Sequence, residues 1–203
     1  MRFRFTFRTL LYLIAVWLFL QAGSAFASVD SFAKEWNISE VRVGFLKHDI
    51  DLPNPFSARE EDGGLDLNGE VLFYAPHFLH YIGSPRPNVG AVINTEGRTS
   101  HAYVGLQWEY AFDCGIFAGF NGGFSVHDGR IDDNKFDANH ITDKRLGSRI
   151  LFHAAPEVGY RFKNGYGLSL YWEHLSNGQV LTSTDTNQGL DNIGIRISYL
   201  FGK

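Results

Sequence analysis

The sequence predicts an all-β protein, an eight-stranded antiparallel transmembrane β-barrel, and three observations carry that reading. An N-terminal export address is followed by no second long apolar run. Eight later segments alternate apolar residues with polar or small ones, and most of the connections that should face the periplasm are short while several others are long and polar.

The address comes first. Residues 1–27 hold Arg2, Arg4 and Arg8, then the apolar run from Leu10 to Leu20, then the small-residue exit Ala25-Phe26-Ala27. A membrane-spanning helix needs about 20 apolar residues, so this shorter run followed by an A-x-A site reads as a cleaved signal peptide. The expected mature chain is residues 28–203, one domain. Aromatic residues make up 15% of the sequence and there are 22 glycines. An exported membrane protein without apolar helices has one other form open to it, the closed barrel. Removing residues 1–27 takes away three arginines and no acid, so the formal charge goes from −4 to −7, which argues against a nucleic-acid partner. Cys114 is the only cysteine, so no intrachain disulfide can form.

A barrel strand crosses the bilayer in about 9–11 tilted residues with apolar side chains toward lipid and polar or small ones toward the lumen. Strand 1, about Ser39 to His48, sets Val41, Val43 and Phe45 against Arg42, Gly44 and His48. Strand 2, Leu65 to Tyr74, sets Leu65, Leu67, Val71 and Phe73 against Asp66, Asn68 and Glu70. Strand 3, about Asn88 to Glu96, alternates less sharply, with Val89, Ala91 and Ile93 outward and Gly90, Asn94 and Glu96 inward. Strand 4, Ala102 to Phe112, turns Val104, Leu106, Trp108 and Tyr110 outward and Tyr103, Gly105, Gln107 and Glu109 inward. Strand 5 sets Ile116, Ala118, Phe120, Phe124 and Val126 against Asn121, Gly123, Ser125 and His127. Strand 6 sets Ile150, Phe152, Ala154, Val158, Tyr160 and Phe162 against Arg149, His153, Glu157 and Arg161, with Pro156 marking a bulge or a break in pairing. Strand 7 runs from Tyr166 to Ser176, and strand 8 from Leu190 to Phe201 with Ile193, Ile195, Ile197, Tyr199 and Phe201 outward.

An even count suits closure with both termini in the periplasm. Asp113-Cys114-Gly115 and Lys163-Asn164-Gly165 are then short periplasmic turns, and the connections after strands 1, 5 and 7 lie outside. The stretch Ala75 to Pro87 is long for its side. A soluble lipocalin-like barrel has the same strand count but keeps its apolar faces inside. The regular polar sets of strands 4 to 6, and aromatics near strand ends such as Trp108, Tyr160 and Trp172, favour the membrane barrel.

Strand 7 breaks its own pattern. The parity of Tyr166, Leu168, Leu170 and Trp172 continues into His174 and Ser176, two polar residues where lipid is expected. Asp191 likewise shares the outward parity of Ile193, Ile195 and Ile197 at the upper end of strand 8. Cross-strand neighbours touch. A serine, a histidine and an acid meeting at one place can activate a hydroxyl: the imidazole takes the serine proton and the acid fixes the imidazole. Facing the outer leaflet, such a site would act on an acyl ester of a lipid. Glu173 points into the lumen by parity and Asp185 sits in the loop Gly178 to Gly189, so Asp191 is the expected acid.

The stretch His174-Leu175-Ser176-Asn177-Gly178, with Asn187-Gln188-Gly189-Leu190-Asp191 and a terminal strand after it, resembles the C-terminal signature of the PagL family of lipid A 3-O-deacylases. The resemblance is sharp over about Tyr171 to Phe201. It implies an outer-membrane hydrolase with lipid A of lipopolysaccharide as substrate and no cofactor. It also implies Ser176 as nucleophile, His174 as general base, Asn177 as a contributor to oxyanion stabilisation, and loss of the 3-hydroxyacyl chain at position 3. The family's acid is a glutamate, and Asp191 stands in its place.

Other candidates carry less. His77 and His80 form an H-x-x-H pair without a third ligand, and the acids of the run Asp128 to Arg145 lack the order of a calcium loop, so no metal site is expected. Glu70, Glu96, Glu109, Glu157, Arg42, Arg149, Arg161 and Arg196 read mostly as a paired lumen network plugging a narrow barrel. Two further function classes fit the same barrel: a non-enzymatic structural or adhesive surface protein working through its loops, and an outer-membrane phospholipase. A homodimer is compatible with any of them.

Overall fold

The computed structural model describes residues 29–50, 63–131, 144–181 and 188–202. The expected signal peptide lies outside these residues. Eight strands close into one antiparallel barrel in sequence order: β1 Ile38–Lys47, β2 Leu65–Phe73, β3 Arg86–Asn94, β4 His101–Ala111, β5 Ile116–His127, β6 Ile150–Arg161, β7 Tyr166–Ser176 and β8 Leu190–Leu200. β1 pairs with β8 as well as β2, so no sheet edge is left open, as a wall in hydrocarbon requires.

The period-two pattern holds around the wall. Val43, Phe45, Val104, Phe124, Val158, Leu170 and Ile195 stand exposed, while Arg42, Glu70, Gln107, Asn121, Glu157 and Arg196 are buried inside. That is the inverse of a soluble barrel. Tyr103 reaches across the lumen because Gly90 lies beneath its ring: a Cβ there would come within 2.3 Å of the Tyr103 Cζ. The turns at Gly115 and Gly165 are tight and need φ of 92° and 89°, which glycine adopts without steric cost.

Charges fill the periplasmic half of the lumen. Arg42 Nε bonds Glu40 at 2.9 Å and its other nitrogens reach Glu157 and Glu109. Arg196 bridges Glu70 at 3.0 Å and Glu157 at 2.8 Å, and Arg86 joins Glu40 and Glu109. Each guanidinium has several carboxylate partners, as burial of so many charges demands. Glu96 and Arg149, expected inward, are instead exposed beyond the strand ends, and Arg149 binds the carbonyls of His127 and Gly129.

One local expectation is corrected. β3 begins at Arg86, two residues before the expected start, because Pro87 pairs with Leu106 of β4 while the β2 ladder begins only at Asn88. Proline is tolerated at such a strand end. The long connection before it holds a 3-10 helix, His77–Ile82, whose Phe78 and Tyr81 are exposed and whose Ile82 carbonyl accepts the Trp108 indole N–H at 2.8 Å. Amphipathic aromatics of this kind suit a membrane interface. Of the two readings of Pro156, the break in pairing holds: the β6–β7 register is the same on both sides of it and only the pairing lapses, whereas the register shift falls in β1 between Ile38 and Glu40.

Candidate active site

Antiparallel pairing of β7 with β8 sets His174 opposite Asp191. Imidazole Nδ1 lies 2.9 Å from Asp191 Oδ1, and the indole Nε1 of Trp172, one turn of the pleat below, donates to the same oxygen at 3.0 Å. Asp191 is fully buried, whereas the His174 side chain keeps 21% of its surface open on the outer wall. Asp191 is also anchored through its backbone: its carbonyl accepts the Ile50 N–H at 2.7 Å and its own N–H reaches Asp49 Oδ1 at 3.3 Å. Lys144 binds that Asp49 oxygen at 2.7 Å and offsets its charge. The loop after β1 therefore braces the upper end of β8.

With Nδ1 turned to Asp191, the imidazole presents Nε2 to whatever lies along the wall. Ser176 follows two residues up β7, on the same face, opposite Phe152 of β6. Its hydroxyl makes no hydrogen bond among the described residues, so His174 and Ser176 share a face without a hydrogen bond between them.

Asn177 is buried beneath the turn that follows. Its Nδ2 donates to the Leu146 carbonyl at 2.9 Å and its Oδ1 accepts the Gln179 N–H at 2.7 Å. Its carbonyl takes the N–H groups of Val180 and Leu181, both at 3.1 Å. Asn177 thus holds the turn in shape rather than presenting its amide on the wall. The next residue, Gly178, is exposed at φ 60°, and among the described residues no acceptor takes its N–H. Gly178 closes the stretch His174-Leu175-Ser176-Asn177-Gly178, and the sequence alone assigned it no role.

Glu173 faces the other way, buried in the lumen with Asn192, Tyr171 and His153 around its carboxylate. Asp185 lies outside the described residues, as do Asp132, Asp133, Asp137 and Asp143 of the acidic loop. Asp128 of that loop accepts the Ser100 N–H at 2.7 Å, a structural bond. His77 and His80 are exposed neighbours with stacked rings 6.4 Å apart.

Residues 99–200, from just before β4 to the end of β8, match the family model described as Lipid A 3-O-deacylase (PagL). The chain belongs to that family. Its barrel is also similar to the crystal structure of the outer membrane enzyme PagL, with a TM-score of 0.54 over 80% of this chain and 98% of that one. At 15% identity that likeness is one of fold. No curated protein matches the sequence. As a lipid A 3-O-deacylase family member the chain is an outer-membrane hydrolase acting on lipid A, and the matched stretch contains His174, Ser176, Asn177 and Asp191.

Proposed function

We propose that the chain hydrolyses the ester-linked 3-hydroxyacyl chain at position 3 of lipid A, with Ser176 as nucleophile, His174 as general base and Asp191 as the acid behind it. The observation that carries this reading is the 2.9 Å contact between His174 and Asp191 on the lipid-facing wall, one face-step from a serine hydroxyl that has no hydrogen bond among the described residues.

The chemistry follows from that placement. Ser176 Oγ attacks the ester carbonyl carbon as its proton passes to His174 Nε2, and Asp191 stabilises the imidazolium through Nδ1. Negative charge gathers on the former carbonyl oxygen. Asn177 contributes to stabilising it by holding the turn that carries the Gly178 N–H, a donor at the surface where the oxyanion forms. Collapse breaks the acyl–oxygen bond, and the sugar oxygen leaves with the proton from His174. Water then attacks the acyl-enzyme with His174 again taking a proton, which releases the fatty acid and restores Ser176. The acyl chain needs no tunnel, because in the bilayer it already lies along the apolar wall below the site.

Mass spectrometry of lipid A from cells with the wild-type protein or Ser176→Ala tests the reading. Loss of one 3-hydroxyacyl chain from position 3 is expected with wild type only. Normal deacylation by Ser176→Ala would overturn the assignment of the nucleophile, and loss of a phospholipid acyl chain instead would overturn the substrate.

A further inference from the structure

Behind the outer wall, on the lumen side of β7, lies a second cluster that the deacylation chemistry does not use. His101 at the top of β4, His153 near the top of β6 and Glu173 of β7 are buried, and each offers a ligand atom within 4.8 Å of the others. His101 Nε2 stands 3.4 Å from Glu173 Oε1, and His153 Nε2 stands 3.1 Å from Glu173 Oε2. Among the described residues this is the one such group of three.

Three features suit these atoms to a metal ion. First, neither ring nitrogen of the fully buried His101 side chain makes a hydrogen bond among the described residues, and its Nε2 approaches only the Glu173 carboxylate, at 3.4 Å. Second, His153 turns Nε2 toward Glu173 Oε2 and the Tyr171 hydroxyl, 3.1 and 3.3 Å away, while its Nδ1 meets the Asn121 side-chain amide at 3.1 Å. A ring nitrogen that faces a carboxylate oxygen this closely is held by a proton or by a metal ion that takes the proton's place. Third, the carboxylate is itself held, with Asn192 Nδ2 donating to Oε1 at 2.8 Å and the Tyr171 hydroxyl donating to Oε2 at 3.0 Å. Metal-binding histidines and carboxylates are oriented by just such outer partners. The stacked Tyr103 ring, with its centroid 4.3 Å from that of His153, fixes the imidazole plane.

We propose that His101, His153 and Glu173 bind one divalent transition-metal ion of the Zn²⁺ class in the barrel lumen. Two imidazoles and a carboxylate form the nitrogen and oxygen set that Zn²⁺ takes, with bonds of about 2.0–2.1 Å that place tetrahedral ligand atoms about 3.3 Å apart. The two imidazoles approach separate oxygens of Glu173 at 3.4 and 3.1 Å, and the three ligand atoms lie within 4.8 Å of one another, so they draw closer together on the ion. The harder, oxygen-seeking Mg²⁺ and Ca²⁺ are disfavoured by two imidazoles. The ion ties β4, β6 and β7 together on the lumen side of the strand that carries His174 and Ser176, so its role is structural. Entry is from the extracellular end, where all three residues lie.

The test uses the full-length gene product, extracted from outer membranes in detergent, stripped with a chelator and dialysed against Zn²⁺ or Co²⁺. About one metal ion per chain is expected, with Co²⁺ giving intense visible bands of low coordination number that Zn²⁺ displaces, and a higher temperature for the mobility shift of the loaded barrel. His101→Gln and His153→Gln should remove the bands, while Asn121→Ala should weaken binding by about 10–100-fold. Wild-type protein that stays metal-free, shows only the spectrum of hydrated Co²⁺, or matches His101→Gln in metal content would overturn the proposal. If the glutamine variants do not fold, the wild-type Co²⁺ spectrum decides alone. None of these readings depends on deacylation.

Discussion

The indole N–H of Trp172 donates to Oδ1 of Asp191 over 3.0 Å, the same oxygen that meets His174. On the roles proposed for His174 and Asp191, Trp172 positions the acid from the strand that also carries the base and orients its carboxylate. Hydrogen bonds to a charged group are worth about 1.5–3 kcal/mol, and each 1.4 kcal/mol lost from the transition state is tenfold in rate. Trp172→Phe keeps the apolar ring and removes the donor. Deacylation kinetics on lipid A micelles should show kcat down by about tenfold with KM little changed; an unaltered kcat would remove Trp172 from the positioning set.

Barrel stability should be most sensitive far from that wall. Arg42 is fully buried and contacts Glu40, Glu109 and Glu157, so Arg42→Met strands several carboxylates in the lumen. Breaking a buried ion pair from one side costs about 3–5 kcal/mol. Urea unfolding in detergent should show a loss of that order, while the folded fraction deacylates at close to the wild-type rate. Equal loss of activity per folded molecule would mean that the lumen network reaches the outer wall.

Export supplies a third outcome. We expect cleavage after Ala27, so intact-mass measurement of the outer-membrane protein should give residues 28–203, and its mobility should shift on heating in detergent. A band retaining Leu10 to Leu20 would make that run an anchor.

Much of this was legible in the chain, and the reason is geometric. Side chains alternate with a period of two, so the parity of Leu170, Trp172, His174 and Ser176 places all four on one face without knowledge of any partner strand. Asp191 could be set beside them because sequential strands pair in an up-and-down barrel. What parity cannot give is which lumen residues meet across the barrel. Glu173 was recognisable as inward, but its encounter with His101, 72 positions earlier, depends on stagger and closure rather than on local pattern. The same holds for Asn177, whose partner Leu146 comes from the loop before β6. The start of β3 was missed because proline is a strand breaker in most positions, and only the unequal lengths of its two neighbouring ladders admit it at Pro87.

The most discriminating experiment concerns the acid itself. The resemblance of the C-terminal stretch implies a glutamate where Asp191 stands, and the shorter side chain meets His174 because direct cross-strand pairing brings the two backbones together. The anchors on its backbone, Ile50 N–H and Asp49, hold it at the height of the imidazole. Asp191→Asn preserves shape but favours the wrong imidazole tautomer, a change that costs up to about 10⁴ in turnover in Ser-His-Asp enzymes. Deacylation should therefore collapse while heat-modifiability survives. Asp191→Glu adds one methylene in a fully buried place, so it should retain substantial activity at some cost in stability, the cost usual for overpacking being about 1–3 kcal/mol. Asp185→Asn, in the loop, should deacylate at nearly the wild-type rate. The reverse ranking, with Asp185→Asn inactive and Asp191→Asn normal, would take the acid out of β8 and leave the 2.9 Å contact with His174 a structural bond.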